Sequence, residues 1–389
     1  MLSNWLFAAF ALLVLYGMHH YFWARAIRDL HLAKIWSRGS IILLTALGIG
    51  LIAAFLVTRI SSADGSGRLA LPVWWWLGFL FYALLHLILA DLWWLARKAL
   101  RRENKLTDPP DPSRRVLFRR VAAGVGVGSS SALAWVGDRN ASGEITTPEQ
   151  EVRLERLPKS LEGYRIAQLS DVHIGPLLGA SFLTHVVEKT NAGKPDLIVI
   201  TGDLVDGTPE NLRHSIEPLF RLKARHGVHF VTGNHEYYSG AQPWIEYLKA
   251  RGIVVLHNER VSIGQDRHSF DLAGIPDHMA RRFGAPHAPD LERALAGRDP
   301  ERELLLLAHQ PIQIDTAAGK GVGLQLSGHT HGGQIWPFGA LVLLAQPYLS
   351  GLNRHGDGTQ VYVSRGTGFW GPPMRIGAPA EISNLILRT

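Results

Sequence analysis

The first part of the chain contains long apolar segments that carry no charge. Residues 4–23, 39–58 and 71–90 each run for about 20 residues without Lys, Arg, Asp or Glu, which is the helix length that spans the hydrocarbon core of a bilayer. Tryptophans flank the third segment at 74–76 and 93–94, as aromatic side chains do at membrane interfaces. The range 1–96 is therefore predicted to form three transmembrane helices.

A fourth apolar segment, 121–137, is shorter and rich in Gly and Ser, and it follows a basic linker at 97–120. It either crosses the membrane or packs against it. The stretch SRRVLFRRVAAGVGVGSSSALAW at 113–135 resembles a twin-arginine export signal, which favours crossing.

Basic residues are concentrated in two of the connecting segments. The ranges 24–38 and 97–120 are strongly basic and 59–70 is not, so the positive-inside rule places the first two in the cytoplasm. We expect a multi-pass protein of the bacterial cytoplasmic membrane whose C-terminal domain lies outside the cytoplasm if 121–137 crosses, and inside if it does not.

The pattern changes after a polar linker at 138–160. Short apolar runs, each ended by polar residues or glycine, occur at 165–170, 196–201, 228–232, 253–256, 269–273, 303–308, 323–327 and 360–364. Helical patterns lie between several of them, near 179–191, 210–222 and 242–251. Strands that alternate with helices predict an α/β domain over 161–389, with ligands bound at the carboxyl ends of the strands.

Charge and composition restrict the function of this domain. Residues 1–150 hold 16 Lys and Arg against 9 Asp and Glu, whereas residues 151–389 hold 24 of each. A neutral domain argues against nucleic acid as a partner, because that would require a basic face. The absence of cysteine excludes disulfides, thiolate nucleophiles and cysteine-ligated metals.

Metal-ligand side chains cluster after five of the predicted strands. The clusters contain Asp171 and His173; Asp203 and Asp206; Asn234 and His235; His309; and His329 and His331. Imidazole and carboxylate ligands suit Zn, Fe or Mn. Of these residues, an Asp, a His, an Asp, an Asn and three further His make seven ligands, which exceed the need of one ion with an open position but fit two divalent ions that share a carboxylate.

The motifs D-x-H, G-D-x-x-D, G-N-H-E, a lone His and G-H-T-H occur in this order over about residues 164–375. This series resembles the calcineurin-like metallophosphoesterases, and GHTHGGQIW with the apolar N-terminus is similar to their membrane-associated bacterial branch, typified by the YkuE and YaeI phosphodiesterases. The resemblance implies a two-sheet αββα sandwich that hydrolyses phosphoesters by attack of a hydroxide bridging two metals. It also implies that Asp171, His173 and His331 bind one metal, that Asn234, His309 and His329 bind the other, and that Asp203 bridges them.

Two further residues are candidates for catalysis. His235 is expected to contact the phosphate or protonate the leaving oxygen, and Asp206 resembles the acid that orients this histidine in the family. The alternative for each is a structural role, such as a turn cap or a side chain that supports a metal ligand without binding the metal.

The substrate is less well defined by the sequence. The apolar stretch 335–352 follows the GHTH block; it is either a rim that contacts lipid or, at 341–344, another core segment. A lipid-linked or envelope phosphodiester or pyrophosphate is the favoured substrate. A UDP-2,3-diacylglucosamine-type pyrophosphate is one example that the resemblance implies, although it would favour a cytoplasmic domain. Phosphomonoesterase, phosphoprotein phosphatase and non-catalytic membrane sensor are the alternatives. Arg281 and Arg282 either contact phosphate or lie in a solvated loop.

Overall fold

The computed structural model describes residues 2–30, 33–60, 66–103, 112–356 and 358–389. They form two compact units, one within residues 1–56 and 70–137 and the other within residues 57–69 and 138–389. The N-terminal unit contains most of the helices α1 (Leu2–Ala26), α2 (Lys34–Ile60), α3 (Ser66–Glu103) and α4 (Pro112–Ala141).

Two of these helices are long and apolar enough to cross a membrane, over Lys34–Leu56 and Leu69–Leu100. The predicted segment 4–23 lies within α1, and 121–137 lies within α4. The predicted basic linker at 97–120 contains the end of α3 and the start of α4, so all of its described residues are helical. Residues 104–111 of that linker lie outside the described part of the chain.

The C-terminal unit contains two six-stranded sheets, with strand orders β1-β12-β2-β3-β4-β5 and β10-β11-β9-β8-β7-β6. The strands are β1 (Glu149–Arg153), β2 (Arg165–Leu169), β3 (Leu197–Thr201), β4 (Val228–Val231), β5 (Val254–Val255), β6 (Glu259–Gln265), β7 (His268–Gly274), β8 (Leu304–Leu307), β9 (Leu324–Ser327), β10 (Gly351–His355), β11 (Thr359–Val363) and β12 (Ser383–Arg388). The helices of this unit are α5 (Ala180–Ala192), α6 (Pro209–Ile216), α7 (Asn234–Ser239), α8 (Ala241–Ala250), α9 (Leu291–Leu295), α10 (Ile314–Ala317) and α11 (Gly339–Val342).

Most strands in the centre of each sheet are parallel. The strands β2 to β5 pair in parallel in the first sheet, and β7, β8, β9 and β11 do so in the second. Parallel strands buried on both faces consist of continuous apolar runs, and β3, with the sequence LIVIT, is buried along its whole length. All eight predicted apolar runs correspond to strands of these sheets.

Three apolar clusters form the layers of the unit. One lies between the sheets and contains Leu197, Val199, Leu305 and Leu326. A second joins the first sheet to α5, α6 and α8, and a third joins the second sheet to α9 and α10. The predicted two-sheet α/β sandwich is therefore confirmed.

The predicted linker at 138–160 differs from the structure, because it contains β1, an edge strand parallel to β12. The sequence of β1 is EQEVR, in which only Val152 is buried. An edge strand with so few apolar residues has no alternation that a sequence pattern could detect.

Candidate metal centre

The seven predicted ligands lie at the carboxyl ends of five parallel strands. Asp171 and His173 follow β2, Asp203 follows β3, and Asn234 begins α7 after β4. His309 follows β8 in the second sheet, and the GHTH segment follows β9. The structure thus brings residues from both sheets to one edge of the sandwich, where the sequence predicts them to converge.

One group of candidate ligands consists of Asp171, His173 and His331, whose ligand atoms lie within 4.8 Å of one another. The Nε2 atoms of His173 and His331 are 3.1 Å apart. His331 Nε2 is also 3.3 Å from Asp171 Oδ1. Two imidazole nitrogens and a carboxylate oxygen therefore face one point.

A second group, with the same spacing, consists of Asp203, His309 and His329. His309 Nδ1 lies 2.6 Å from the carbonyl oxygen of Thr201, so Nδ1 carries the proton and donates it to that oxygen. This tautomer directs Nε2 towards Asp203, where its distance from Oδ2 is 3.1 Å. The rings of His309 and His329 are 5.1 Å apart.

Asp206 connects the first group to His235. Its Oδ2 is 3.1 Å from Nδ1 of His173, and its Oδ1 is 2.5 Å from Nδ1 of His235. Burial by itself would raise the pKa of Asp206, but the two imidazoles hold it well below its usual range. Asp206 is therefore a carboxylate that fixes both rings through Nδ1 and leaves both Nε2 atoms pointing away from it.

His235 is positioned by the second group as well. Its backbone N–H donates to Asp203 Oδ1 over 2.8 Å. Burial would lower the pKa of His235, but Asp203 and Asp206 raise it to about 9. The ring packs edge-on against Tyr238 and Trp370, with centroid distances of 5.4 and 5.7 Å. The structure thus places an imidazole that favours its protonated form beside both groups.

The backbone at the site is strained. Five of the seven candidate ligands have φ between 51 and 70°, a range that side-chain-bearing residues rarely adopt; they are Asp171, His173, Asp203, His329 and His331. Each such residue costs about 1–3 kcal/mol and is retained where the surrounding structure enforces it. This concentration of strain is typical of functional sites.

Two glycines allow the loops to approach each other closely. A Cβ atom at Gly233 would lie 2.2 Å from Asp203 Oδ1, and one at Gly328 would lie 2.2 Å from Asp171 Oδ2. Any side chain at either position would displace a candidate ligand.

The donor atoms fit divalent cations. Asn234 Oδ1 and His309 Nε2 are buried, with no hydrogen-bond partner among the described residues. A buried polar atom without a partner costs about 1–3 kcal/mol, and a coordinated cation removes that cost. Burial, followed by the neighbouring His309, lowers the pKa of His329 to about 3, so its imidazole is neutral and has a lone pair for a metal.

Comparison with known proteins identifies the family. Residues 164–333 match the family model described as calcineurin-like phosphoesterase. The chain is 41% identical over 266 residues to a transmembrane protein with metallophosphoesterase domain from Danio rerio, an alignment that covers 67% of this chain and 61% of the relative. It is 32% identical over 254 residues to the uncharacterized metallophosphoesterase YkuE from Bacillus subtilis, covering 63% of this chain and 86% of the relative. The chain belongs to the calcineurin-like metallophosphoesterases.

The extent of these similarities differs among the relatives. The chain spans about two thirds or less of the length of several metallophosphoesterase relatives, with 61% for the Danio rerio protein and 66% for one from Helicobacter pylori. Among solved structures, a dimetal phosphatase from Danio rerio is similar over 53% of this chain and 88% of its own, with 13% identity and a TM-score of 0.34.

One acidic residue that stabilises this metallophosphoesterase site, Glu236, was not predicted from the sequence. Glu236 is fully buried and accepts hydrogen bonds from four backbone N–H groups. The donors belong to Gly233, Asp203, Leu204 and Val205. The position of Glu236 within GNHE, directly after two candidate site residues, was the signal that could have revealed it.

A second missed residue is Arg375, which is also fully buried. Its guanidinium donates to the carbonyl oxygens of Gly366, Gly368 and Ala378. It thereby fixes the loop after β11, where a Cβ atom at Gly366 would lie 3.0 Å from Cβ of Asp171. Arg375 lies more than 40 residues from the GHTH segment, and no local pattern marks it.

Arg281 and Arg282 are exposed at the end of the turn His278–Phe283. This turn contacts α7 through Phe283, whose ring packs against Tyr237 and Tyr238, and through Ala280, which is buried with Tyr237.

Proposed function

We propose that the chain is a membrane-anchored hydrolase that cleaves a phosphodiester or pyrophosphate bond with two divalent metal ions. The observation that carries this proposal is the presence of two carboxylate–imidazole groups at one edge of the sandwich, each of which combines side chains from both sheets. Within the family, this arrangement supports phosphoester hydrolysis as the reaction class.

Each group would hold one ion, of Mn, Zn or Fe. Asp171, His173 and His331 would hold the first, and Asn234, His309 and His329 would hold the second, with Asp203 shared. Two cations would supply positive charge that activates a water molecule and neutralises the phosphoryl oxygens. The buried Oδ1 of Asn234 supports its inclusion, because no other described group satisfies that atom.

His235 and Asp206 would handle the proton of the leaving group. Asp206 binds Nδ1 of His235, so the proton on Nε2 points away from Asp206 and is available to a substrate oxygen. A general acid must be protonated before the bond breaks, and the hydrogen bond between Nδ1 of His235 and Asp206, which is not a proposed metal ligand, favours that state.

A lipid-linked substrate is the finer part of the proposal. The span-length helices α2 and α3 support it, as does the uncharged segment that follows the GHTH residues. The catalytic unit would act outside the cytoplasm, as the basic connecting segments and the export-like sequence indicate.

The test uses the full chain purified in detergent, loaded with Mn²⁺, and assayed with bis(p-nitrophenyl) phosphate and p-nitrophenyl phosphate. We expect the diester to be hydrolysed and Asp203→Asn to lower the rate by more than about a hundredfold, since changes at residues that only support ligands already cost 10–100-fold. Turnover of the monoester alone would indicate a phosphatase instead. Equal rates for the variant and the parent would contradict the metal mechanism.

A second arm of the same assay addresses the lipid. Hexadecyl and methyl p-nitrophenyl phosphate share one leaving group and differ only in the alkyl chain. Preferential hydrolysis of the hexadecyl ester in mixed micelles would support a lipid-linked substrate, and equal rates would count against it.

A further inference from the structure

The segment 336–345, here called the apolar loop, exposes apolar side chains, whereas the polar side chains on either side of it are buried. Its side chains Trp336, Leu341, Leu343 and Leu344 are 67, 57, 49 and 83% exposed. The polar residues that flank it, Gln334 and Gln346, are 9 and 6% exposed. Leu341–Leu344 is therefore not a core segment, and the alternative of a rim remains.

Hydrogen bonds hold the apolar loop in this arrangement. Gln346 Oε1 accepts from the N–H of Ile312 over 3.0 Å, and Gln346 Nε2 donates to Gln310 Oε1 over 3.1 Å. At the other end, Gln334 pairs with the backbone N–H and carbonyl oxygen of Trp370. Turning the leucines inward would break the hydrogen bonds of Gln334 and Gln346. These bonds therefore keep the leucine side chains exposed.

The two anchors also connect the apolar loop to the candidate metal centre. Gln310 is the neighbour of His309 in the chain, and Gln334 lies three residues after His331. Between them, Thr330 Oγ1 donates to the carbonyl oxygen of Leu349 over 2.7 Å. The exposed leucines and the site are thus parts of one hydrogen-bonded frame.

Exposed leucines in water are unfavourable when they are adjacent, and a contiguous apolar patch marks a contact surface. Residues 332–350 contain no Asp, Glu, Lys, Arg or His, so a charged partner has nothing to pair with. The same chain carries two helices long and apolar enough to cross a membrane, and a chain anchored by them would be tethered to a bilayer. Trp336 beside the leucines is the residue type that accumulates at membrane interfaces.

We propose that the apolar loop inserts Leu341, Leu343 and Leu344 into the bilayer to which the chain is anchored, which places the metal centre beside the lipid surface. The inference concerns this surface alone and holds whether or not the chain hydrolyses a lipid-linked ester. If the proposal is wrong because protein covers the apolar loop, the covering surface would be a second copy of the chain or the helices of the N-terminal unit.

The chain has no cysteine, so one introduced thiol reports on one position. Leu344→Cys is introduced into the full chain, and the protein is spin-labelled and reconstituted in lipid nanodiscs. The measurement is the rate at which the spin label collides with oxygen and with a water-soluble nickel chelate. Glu246→Cys, at an exposed position of α8, is the matched control. We expect the Leu344 label to collide more with oxygen and less with nickel than the control, at a depth of about 5–10 Å, as interfacial segments have.

Each other outcome overturns the proposal. Accessibility equal to that of Glu246 would mean that the loop is in water. Protection from both reagents would mean that protein covers it, either a second copy or the N-terminal helices. Leu341→Cys repeats the measurement on the same loop, and turnover of a soluble diester by each labelled protein shows that the fold and the site are intact.

Discussion

Asp206 serves two imidazoles that we assign to different tasks. It holds Nδ1 of His173, a proposed metal ligand, and Nδ1 of His235, the proposed general acid. A carboxylate behind a histidine fixes its tautomer and orientation in both settings. One acid thus links the position of a metal ligand to that of the proton donor.

Replacing His235 by Gln should separate proton donation from metal binding. His235 is not one of the seven proposed ligands, although it forms a third His/Asp group with His173 and Asp206, and its Nε2 is 4.0 Å from Asp203 Oδ2. If the two metals are bound by the seven proposed ligands, the metal content of the variant should be unchanged. Its turnover should fall by about 10²–10⁴-fold on esters with poor leaving groups and by less on those with p-nitrophenol. The measurement is kcat for a series of aryl phosphodiesters whose leaving phenols rise in pKa.

His185→Gln, at an exposed position of α5, controls for loss of an imidazole elsewhere. An equal loss across the whole series would show that His235 binds the phosphate and does not protonate the leaving oxygen. Loss of metal would show that it supports the ligands.

At the scale of elements, the sequence predicts the strand ends well, because a parallel strand buried on both faces is a continuous apolar run that polar residues interrupt. The runs 165–170, 196–201 and 303–308 are each followed by candidate ligands, so the position of the site follows from the pattern. The strands β1, β6, β10 and β12 were not predicted. β6 and β10 are edge strands that are half-buried or exposed along most of their length and mixed in polarity, so they lack the continuous apolar run that marks a central strand, although each pairs with the strand that follows it in the chain.

Glu236, at the start of α7, is joined to the loop after β3 by hydrogen bonds from the backbone of that loop. Burial raises the pKa of Glu236 to about 7, so at pH 8 the carboxylate predominates and both oxygens accept N–H groups. Glu236→Gln puts an amide NH₂ against two of these donors. We expect a loss of about 1–3 kcal/mol in unfolding free energy and a 10–100-fold lower metal affinity.

These effects are measured at pH 8 by thermal unfolding and by metal content at defined free Mn²⁺. Glu246→Gln, on the exposed face of α8, is the matched control and should change neither quantity. Unchanged metal affinity in Glu236→Gln would show that the loop keeps its shape without the carboxylate.

At the scale of the whole molecule, the features that could not be predicted from the sequence are those that depend on tertiary contacts. Leu341–Leu344 is equally consistent with a core segment and with a surface that contacts lipid, since composition does not show which side faces solvent. The buried glutamines on either side decide it, and their partners, Gln310 and Trp370, come from other parts of the fold. Arg375 was missed for the same reason.

The stability of the catalytic unit should depend on pH through His229, a histidine of β4 that is 4% exposed. Burial, and to a smaller extent His226, lowers its pKa to about 4 from 6.5. Its Nδ1 has no hydrogen-bond partner among the described residues. The unfolded chain therefore takes up the proton first as the pH falls, so the contribution of neutral His229 is present above pH 6.5 and is lost between about pH 6.5 and 4.

With 1.36 kcal/mol for each unit of pKa difference, this loss amounts to about 2–3 kcal/mol at pH 4.5. His229→Leu removes the titrating group, so the difference in unfolding free energy between pH 8 and pH 4.5 should shrink by that amount relative to the parent chain. The measurement is chemical denaturation of the full chain in detergent at both pH values, with His214→Leu on the exposed face of α6 as the control. An unchanged difference would place the acid sensitivity elsewhere in the molecule. The comparison depends on the change with pH and not on absolute stability, so altered packing by leucine does not affect it.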